Sequence, residues 1–315
     1  MIFLIGTGQM AIDYIHVLQD KELNFVVVGR GVKSAAAFQE KTSIEPVTGG
    51  IEKFIQETRF SQGDSAIIAT GVEQLKTCCD QLMAAGVQKI LVEKPAGLDL
   101  KEIESLAENA SKAGCKIYVA YNRRFYASVL KAIELIEEDG GVESFNFEIT
   151  EWGHVIEPLE KLSAVKQNWF LGNTSHVVDM AFYLGGAPKE LSVFSKGGRD
   201  WHSRSYVFAG AGESEKGALF SYHGHWGAPG RWSVEVLTSK RRFIFRPLEK
   251  LQVQELGSVQ VDFIEIDDEF DKAFKPGLKS QVEAFIAGDN ANLCNIHEHV
   301  VNSKFYAEMA GYSSV

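Results

Sequence analysis

The sequence predicts a doubly wound α/β fold for its first 121 residues. Short apolar runs that end in turn residues recur along this stretch, and segments with helical spacing of apolar residues lie between them. The runs are continuously apolar rather than alternating, which is typical of parallel strands covered by helices on both faces. Such sheets bind ligands at the carboxyl ends of their strands. The predicted strands are 2–5, 25–28, 66–69, 90–92 and 117–120.

The first predicted strand leads directly into a Gly-x-Gly-x-x-Ala turn. Gly6 suits a tight turn, Gly8 lets the backbone approach a pyrophosphate, and Ala11 permits close packing of the next helix on the strand. The positive end of that helix would face the phosphates. The pattern therefore predicts a dinucleotide site, with an ordinary strand-to-helix turn as the alternative. The other residues of the turn are Thr7, Gln9 and Met10.

Length and composition narrow the class of protein. A chain of 315 residues with 45% hydrophobic and 23% charged residues predicts two globular domains, which we place at 1–121 and 122–315. The formal net charge of -10 argues against a nucleic-acid partner, because affinity for phosphate backbones is mostly electrostatic. No signal peptide or bilayer-spanning apolar run is evident, so we expect a cytoplasmic protein without a membrane partner.

The residues at the end of the second predicted strand indicate which cofactor is preferred. A site for NAD usually carries an acidic residue there, which binds the ribose 2′-hydroxyl. This chain has Arg30, followed by Lys33 and Ser34, without an acid nearby. A guanidinium can bind a 2′-phosphate through two hydrogen bonds. We therefore expect NADP to be preferred, with NAD possible; the alternative is that Arg30 is a solvated turn residue.

The fourth predicted strand ends in the tripeptide Glu93-Lys94-Pro95. A lysine at the end of a buried strand, fixed by a following proline, can direct a partly desolvated ammonium at a substrate hydroxyl. The end of the third strand, Thr70-Gly71, lies at the same edge of the predicted sheet. We expect these residues to contact the cofactor, and Lys94 to act in catalysis.

Four motifs occur in a familiar order and spacing: the glycine turn, Ala69-Thr70, Glu93-Lys94-Pro95 and Tyr121-Asn122-Arg123-Arg124-Phe125. With them the sequence resembles the Gfo/Idh/MocA oxidoreductases, which include inositol and sugar dehydrogenases. The resemblance implies a Rossmann domain followed by an α/β domain with a large, mostly antiparallel, open-faced sheet. It also implies that Lys94 assists proton transfer and that a cis bond precedes Pro95. The family often has Thr-Pro-Asn where this chain has Thr70-Gly71-Val72.

The second catalytic motif of the family is Asp-x-x-x-His. His176 matches its histidine, but Gly172 stands at the position of the aspartate. Asn173, His176 and Asp179 are three residues apart and would share one face of a helix. Asn173 could replace the carboxylate as a hydrogen-bonding partner of the substrate, although it cannot take a proton. Further candidates for substrate contacts are Tyr121, Arg123, Trp152 and Trp169, each of which could equally be a packing residue.

The remainder of the second domain, from 191 to 266, reads as a series of strands with alternating polarity. In the resembling family the uncovered face of such a sheet forms a dimer interface, so we expect a homodimer or larger assembly. His223 and His225 are interpreted as strand-surface residues rather than a metal pair, since acidic or cysteine ligands are not spaced beside them. The four cysteines lack Cys-x-x-Cys spacing and are expected to be reduced packing residues.

These observations favour an oxidoreductase of carbohydrate metabolism. It would transfer a hydride between a nicotinamide cofactor and a sugar, sugar derivative or polyol, with His176 as acid/base and Lys94 orienting the oxygen. The alternative is a regulator or scaffold that binds the nucleotide without turnover, as the family's sugar-regulon repressors do. Gly172 motivates that alternative, and the presence of both Lys94 and His176 argues against it.

Overall fold

The computed structural model describes residues 1–312, and the chain divides into two compact units. The first comprises Met1–Tyr121 and Ala273–Val301; the second comprises Asn122–Lys272 and the residues from Asn302 on. Sequence reasoning assigned everything after Tyr121 to one domain, whereas the segment 273–301 returns to the first unit. No helix within the described residues has the length and apolar character needed to cross a membrane.

The first unit is built on a sheet whose order is β14-β5-β4-β3-β1-β2. All neighbours pair in parallel except β14, which runs antiparallel to β5. The four residues of β1 are all buried, as continuous hydrophobicity predicts for a sheet covered on both faces. The predicted doubly wound parallel sheet is therefore confirmed. Its strands are β1 (Ile2–Ile5), β2 (Phe25–Val28), β3 (Ser65–Ile68), β4 (Lys89–Val92), β5 (Lys116–Val119) and β14 (Cys294–Asn295), the last strand of the chain.

Helices connect these strands, as the apolar spacing predicts. The helical segment that follows β3 begins as a 3₁₀ turn, Val72–Gln74, and becomes regular at Leu75. Lys21 pairs with Glu283 at 3.0 Å and Lys279 with Asp20 at 2.8 Å, which ties the returning segment to the first helix. The helices of this unit are α1 (Gln9–Asp20), α2 (Val32–Thr42), α3 (Gly50–Glu57), α4 (Leu75–Ala84), α5 (Leu100–Ala113) and α11 (Leu278–Ala287).

The second unit contains a large sheet with the order β13-β12-β11-β10-β6-β9-β8-β7. Every neighbouring pair is antiparallel except β6 and β9. The mostly antiparallel sheet that the resemblance implied is therefore present. Its strands are β6 (Ser144–Glu148), β7 (Pro188–Lys196), β8 (Val207–Ser214), β9 (Leu219–His225), β10 (Ser233–Leu237), β11 (Arg241–Phe245), β12 (Gln252–Glu255) and β13 (Asp262–Phe263).

Alternation along these strands separates a covered from an uncovered face. Phe145 and Phe147 of β6 lie beside Phe220 and Tyr222 of β9 in the register, and all four are buried. Leu219 of β9 is 65% exposed on the opposite face. The buried face is covered by α9 (Ser175–Gly185), which ends before Gly186 at φ +98°. The other helices that begin in this unit are α6 (Ala127–Asp139), α7 (Gly153–Ile156), α8 (Ser163–Gln167) and α10 (Glu269–Ala273); α12 (Ile296–Met309) is the last helix of the chain.

Candidate functional site

A cleft of about 750 Å³ lies at the carboxyl ends of β1, β2 and β3. Ligands are expected at this edge of a doubly wound sheet. Of the residues that the sequence predicts for the cofactor, most line the cleft, and Lys33, Glu93, Lys94 and Pro95 are not part of its lining. The lining members are Gly6, Thr7, Gly8, Gln9, Met10, Arg30, Ser34, Thr70 and Gly71.

The glycine turn has the geometry that a pyrophosphate requires. Gly6 has φ +126°, and a Cβ there would lie 2.3 Å from the carbonyl oxygen of Ala69. A Cβ on Gly8 would meet no atom of the described residues within 4 Å, so the space beside it is open to a ligand. Gly8 caps α1 without a side-chain hydrogen bond, which leaves the first N–H groups of the helix for an anion. The residues present therefore fit a dinucleotide.

The ribose end of the cleft holds a carboxylate that sequence reasoning missed. Glu52 lines the cleft with Arg30, and its Oε1 accepts a hydrogen bond of 3.0 Å from Gln81. This hydrogen bond and the Arg30 charge lower the pKa of Glu52. Nothing near Glu52 in the sequence signals a ligand contact, because α3, which carries it, lies outside the glycine motif. A 2′-phosphate would therefore meet both an attractive and a repulsive charge.

Lys94 is the second residue after the end of β4, and hydrogen bonds of both of its neighbours hold this segment. The hydroxyl of Tyr14 donates to Oε1 of Glu93 at 2.8 Å, and Nε2 of His299 lies 2.9 Å from the carbonyl oxygen of Pro95. Burial raises the pKa of Glu93, and the Lys94 charge opposes that shift. The Lys94–Pro95 peptide is cis, as the resemblance implies. The backbone that carries the Lys94 ammonium is therefore fixed by its neighbours.

In the second unit, the turn before α9 is attached to a buried carboxylate. Asn173 Nδ2 and Thr174 Oγ1 each donate to Oε1 of Glu151 at 2.8 Å, and Nη1 of Arg231 lies 3.2 Å from Oε2. Burial raises the pKa of Glu151. Sequence reasoning considered Asn173 as a substitute for the missing aspartate and did not single out Glu151. The only available signal was an acidic residue three positions beyond the end of β6, beside Trp152.

Asp179 lies in an internal ion pair. Arg124 donates to both of its carboxylate oxygens, at 2.8 and 2.6 Å, and the hydroxyl of Tyr306 lies 3.4 Å from Oδ1. Both partners are nearly inaccessible, with side-chain exposures of 4% for Arg124 and 0% for Asp179. Asp179 therefore anchors α9 one turn beyond His176, and its oxygens are occupied by protein donors.

His176 belongs to a group of aromatic and cationic side chains that we call the Trp232 cluster: Arg123, Trp152, His176, Arg231 and Trp232. The His176 and Trp232 rings are 6.4 Å apart between centroids. The guanidinium carbon of Arg123 lies 5.0 Å from the Trp232 ring, and that of Arg231 lies 4.4 Å from it. Arg231 also lies 5.0 Å from the Trp152 ring. Three predicted substrate residues, Arg123, Trp152 and His176, are thus brought together.

Two other predicted substrate residues pack against different aromatic rings. Trp169 packs edge-on against Trp201, with ring centroids 6.4 Å apart. Tyr121 belongs to the first unit, where it is buried and lies 5.6 Å from the ring of His299. His223 and His225 are exposed on β9, and no group of three or more potential metal ligands occurs within residues 1–312.

Comparison with known proteins finds similarity to a family of oxidoreductases. Residues 1–121 match the model of an oxidoreductase family, Gfo/Idh/MocA, described as an NAD-binding Rossmann fold. A myo-inositol 2-dehydrogenase of Thermotoga maritima is 30% identical over 114 residues, which are 36% of this chain and 34% of that protein. The match thus spans about a third of the curated relative.

Solved structures resemble the whole chain. An oxidoreductase from Agrobacterium radiobacter, in complex with NAD⁺, L-tartaric acid and magnesium, has a TM-score of 0.76 at 14% identity, covering 99% of this chain and 96% of that one. The WlbA dehydrogenase from Chromobacterium violaceum, in complex with NADH and UDP-GlcNAcA, has a TM-score of 0.73 at 17% identity, covering 99% and 92%. At these identities the likeness establishes the two-domain fold.

The glycine turn, the parallel sheet and the cleft define the first unit as an NAD(P)-binding Rossmann domain. The resemblance inferred from the motifs is confirmed over residues 1–121, which match the model of the Gfo/Idh/MocA oxidoreductase family.

Proposed function

We propose that this protein is an oxidoreductase that transfers a hydride between a nicotinamide cofactor, preferably NADP, and a sugar, sugar derivative or polyol. The observation that carries the proposal is the dinucleotide cleft of a Rossmann domain in a chain that also retains Lys94 and His176. The relative named for myo-inositol and the structural neighbour in complex with UDP-GlcNAcA support a substrate of the carbohydrate class.

The roles of the chain's own residues follow from their chemistry. The bound nicotinamide would supply or accept the hydride. The N-terminus of α1 and the glycine turn would hold the pyrophosphate, and Arg30 the ribose phosphate. Lys94, on its fixed segment, would polarise the substrate oxygen. His176 would move the hydroxyl proton, since imidazole exchanges protons readily near neutral pH.

A screen for turnover tests this function. Sugars, sugar acids, polyols and nucleotide sugars are incubated with NADP⁺ or NAD⁺ while the absorbance of reduced nicotinamide is followed. We expect turnover with at least one carbohydrate. Tight binding of NADPH without turnover of any of these compounds would favour the alternative, a nucleotide-binding regulator, which the glycine at position 172 motivates.

We predict that NADPH binds more tightly than NADH and that Arg30 is responsible. Arg30→Gln should weaken NADPH binding roughly tenfold or more and leave NADH binding nearly unchanged, because only NADPH carries the 2′-phosphate. Glu52→Gln should strengthen NADPH binding, since it removes a negative charge from the cleft. Titration of nicotinamide fluorescence measures both constants, with Lys41→Gln on the last turn of α2 as the control. Equal or tighter binding of NADH by the unaltered protein contradicts the prediction.

We further propose a homodimer or larger homo-oligomer formed through the uncovered face of the large sheet. On this face, Phe194 of β7 is 72% exposed and Leu219 of β9 is 65% exposed. Apolar surface left exposed on one face of a sheet can mark an interaction surface. Light scattering coupled to size-exclusion chromatography should give at least twice the chain mass of 34.8 kDa. The Phe194→Asp variant should shift the population toward the monomer, and a monomeric unaltered protein would refute the proposal.

A further inference from the structure

Three arginines lie near the start of α9, and they differ in how their charges are compensated. Arg124 is neutralised by two hydrogen bonds with Asp179. Arg231 has one ion pair, with Glu151 at 3.2 Å. The Nε of Arg123 is buried and has no hydrogen-bond partner among residues 1–312, and the carboxylates of Glu249 and Glu151 act on this guanidinium only through space. Arg123 is therefore the least compensated cation of the three.

The surroundings of Arg123 further disfavour its uncompensated positive charge. Burial lowers the pKa of Arg123, and the nearby charge of Arg231 lowers it further. Glu151, which forms the ion pair with Arg231, already accepts hydrogen bonds from Asn173, Thr174 and Arg231. Buried charged donors are normally paired, because an unpaired one costs free energy. A further negatively charged hydrogen-bond acceptor is thus expected beside these two guanidinium groups.

Aromatic rings hold both guanidinium groups in place. Arg123 lies between the rings of Tyr126 and Trp232, at 5.8 and 5.0 Å. Arg231 lies near Trp152 and Trp232, and the indole Nε1 of Trp152 is itself bonded to the carbonyl oxygen of Gly230 at 3.0 Å. Stacked arginines lose little rotamer freedom when they bind a carboxylate or phosphate. About half of the Arg231 and Trp152 side chains is exposed, so the cluster is open to solvent on that side.

We propose that the substrate is an anionic carbohydrate, whose carboxylate or phosphate is bound by Arg123 and Arg231 beside Trp232. This assignment rests on the proposed function and specifies its substrate class. Carboxylate and phosphate both present the oxygens that a guanidinium fork binds through two hydrogen bonds. His176 borders the same indole, so an anion held there would fix the carbohydrate next to the proposed acid/base group.

Binding of matched sugars tests the assignment. Each set contains a neutral sugar, its uronate and its 6-phosphate, for example D-glucose, D-glucuronate and D-glucose 6-phosphate, with the corresponding galactose and mannose sets. Calorimetric titrations use the full chain saturated with NADP⁺. In at least one set the uronate or the phosphate should bind roughly tenfold to a hundredfold more tightly than the neutral sugar. The tighter of the two identifies the anionic group.

Variants test whether the preference for the anionic sugar over the neutral sugar depends on the Trp232 cluster. Arg123→Gln and Arg231→Gln should each abolish it, and Arg123→Lys, which keeps the charge, should retain part of it. Arg199→Gln is the matched control, because Arg199 also stacks on an aromatic ring, that of Tyr206 at 4.6 Å, outside the cluster. Thermal unfolding of each variant confirms that it is folded.

The outcomes separate this inference from the proposed function. Neutral sugars that bind as well as the anions in every set, no binding by any anionic sugar, or a preference that survives both glutamine variants would overturn the inference. Turnover of neutral sugars alone would overturn it and leave the oxidoreductase intact. Anion-selective binding without nicotinamide-dependent turnover would uphold the anion site and overturn the enzymatic function.

Discussion

Replacing Lys94 or His176 with alanine is expected to lower kcat by a factor of about 10² to 10⁴, the usual contribution of a positioned proton-transfer group. The affinity for NADPH should change little in either variant, since neither residue lines the cofactor cleft. The measurement is steady-state turnover on whichever carbohydrate the screen identifies, together with a nicotinamide fluorescence titration. The double variant should be scarcely slower than the worse single variant if the two groups serve one step.

Two controls separate chemistry from folding. Lys89→Ala alters a lysine at the opposite end of β4, and His223→Ala alters an exposed histidine of the large sheet. Both should retain nearly full turnover. If turnover survives both Lys94→Ala and His176→Ala, the proposed roles are wrong, even if the protein proves to be an oxidoreductase. Loss of NADPH binding would instead indicate a cofactor contact in the case of Lys94 and a structural role in the case of His176.

Replacing Gly6 with alanine is expected to have the largest effect on stability. The added Cβ would lie 2.3 Å from the carbonyl oxygen of Ala69. The backbone at this position has φ +126°, which residues with a side chain rarely adopt. Overpacking and backbone strain each cost about 1 to 3 kcal/mol, so the free energy of unfolding should fall by roughly 2 to 6 kcal/mol. NADPH binding should be lost as well, because the phosphate turn cannot form. Thermal unfolding and cofactor titration measure these effects.

Two other glycines serve as matched comparisons. Gly8→Ala places a Cβ in open space at an ordinary φ of -86°, so the variant should unfold like the unaltered protein but bind NADPH at least about tenfold more weakly. Gly63 has φ +96°, and a Cβ added there would meet no atom of the described residues within 4 Å. Gly63→Ala therefore measures the cost of backbone strain separately from that of a steric clash. If Gly8→Ala binds NADPH normally, the pyrophosphate does not approach this turn.

The local sequence could determine the fold of residues 1–121 and the glycine motif within it. Strand β1, the turn at Gly6 and Gly8, and helix α1 lie within 20 consecutive residues, so short-range sterics and apolar spacing specify them. Lys94 and His176 were identified because each belongs to a short motif. The parallel sheet followed because continuous apolar strands can be buried only between two layers of helices.

Contacts between distant residues were decided only by the tertiary structure. Asp179 is paired with Arg124 although 55 positions separate them, and Glu151 receives Arg231 from 80 positions away. Glu52 enters the dinucleotide cleft on a helix that carries no motif, and the segment 273–301 returns to the first unit through β14. No local pattern encodes these partners, because a buried charge is compensated by whichever group the fold brings within hydrogen-bond distance.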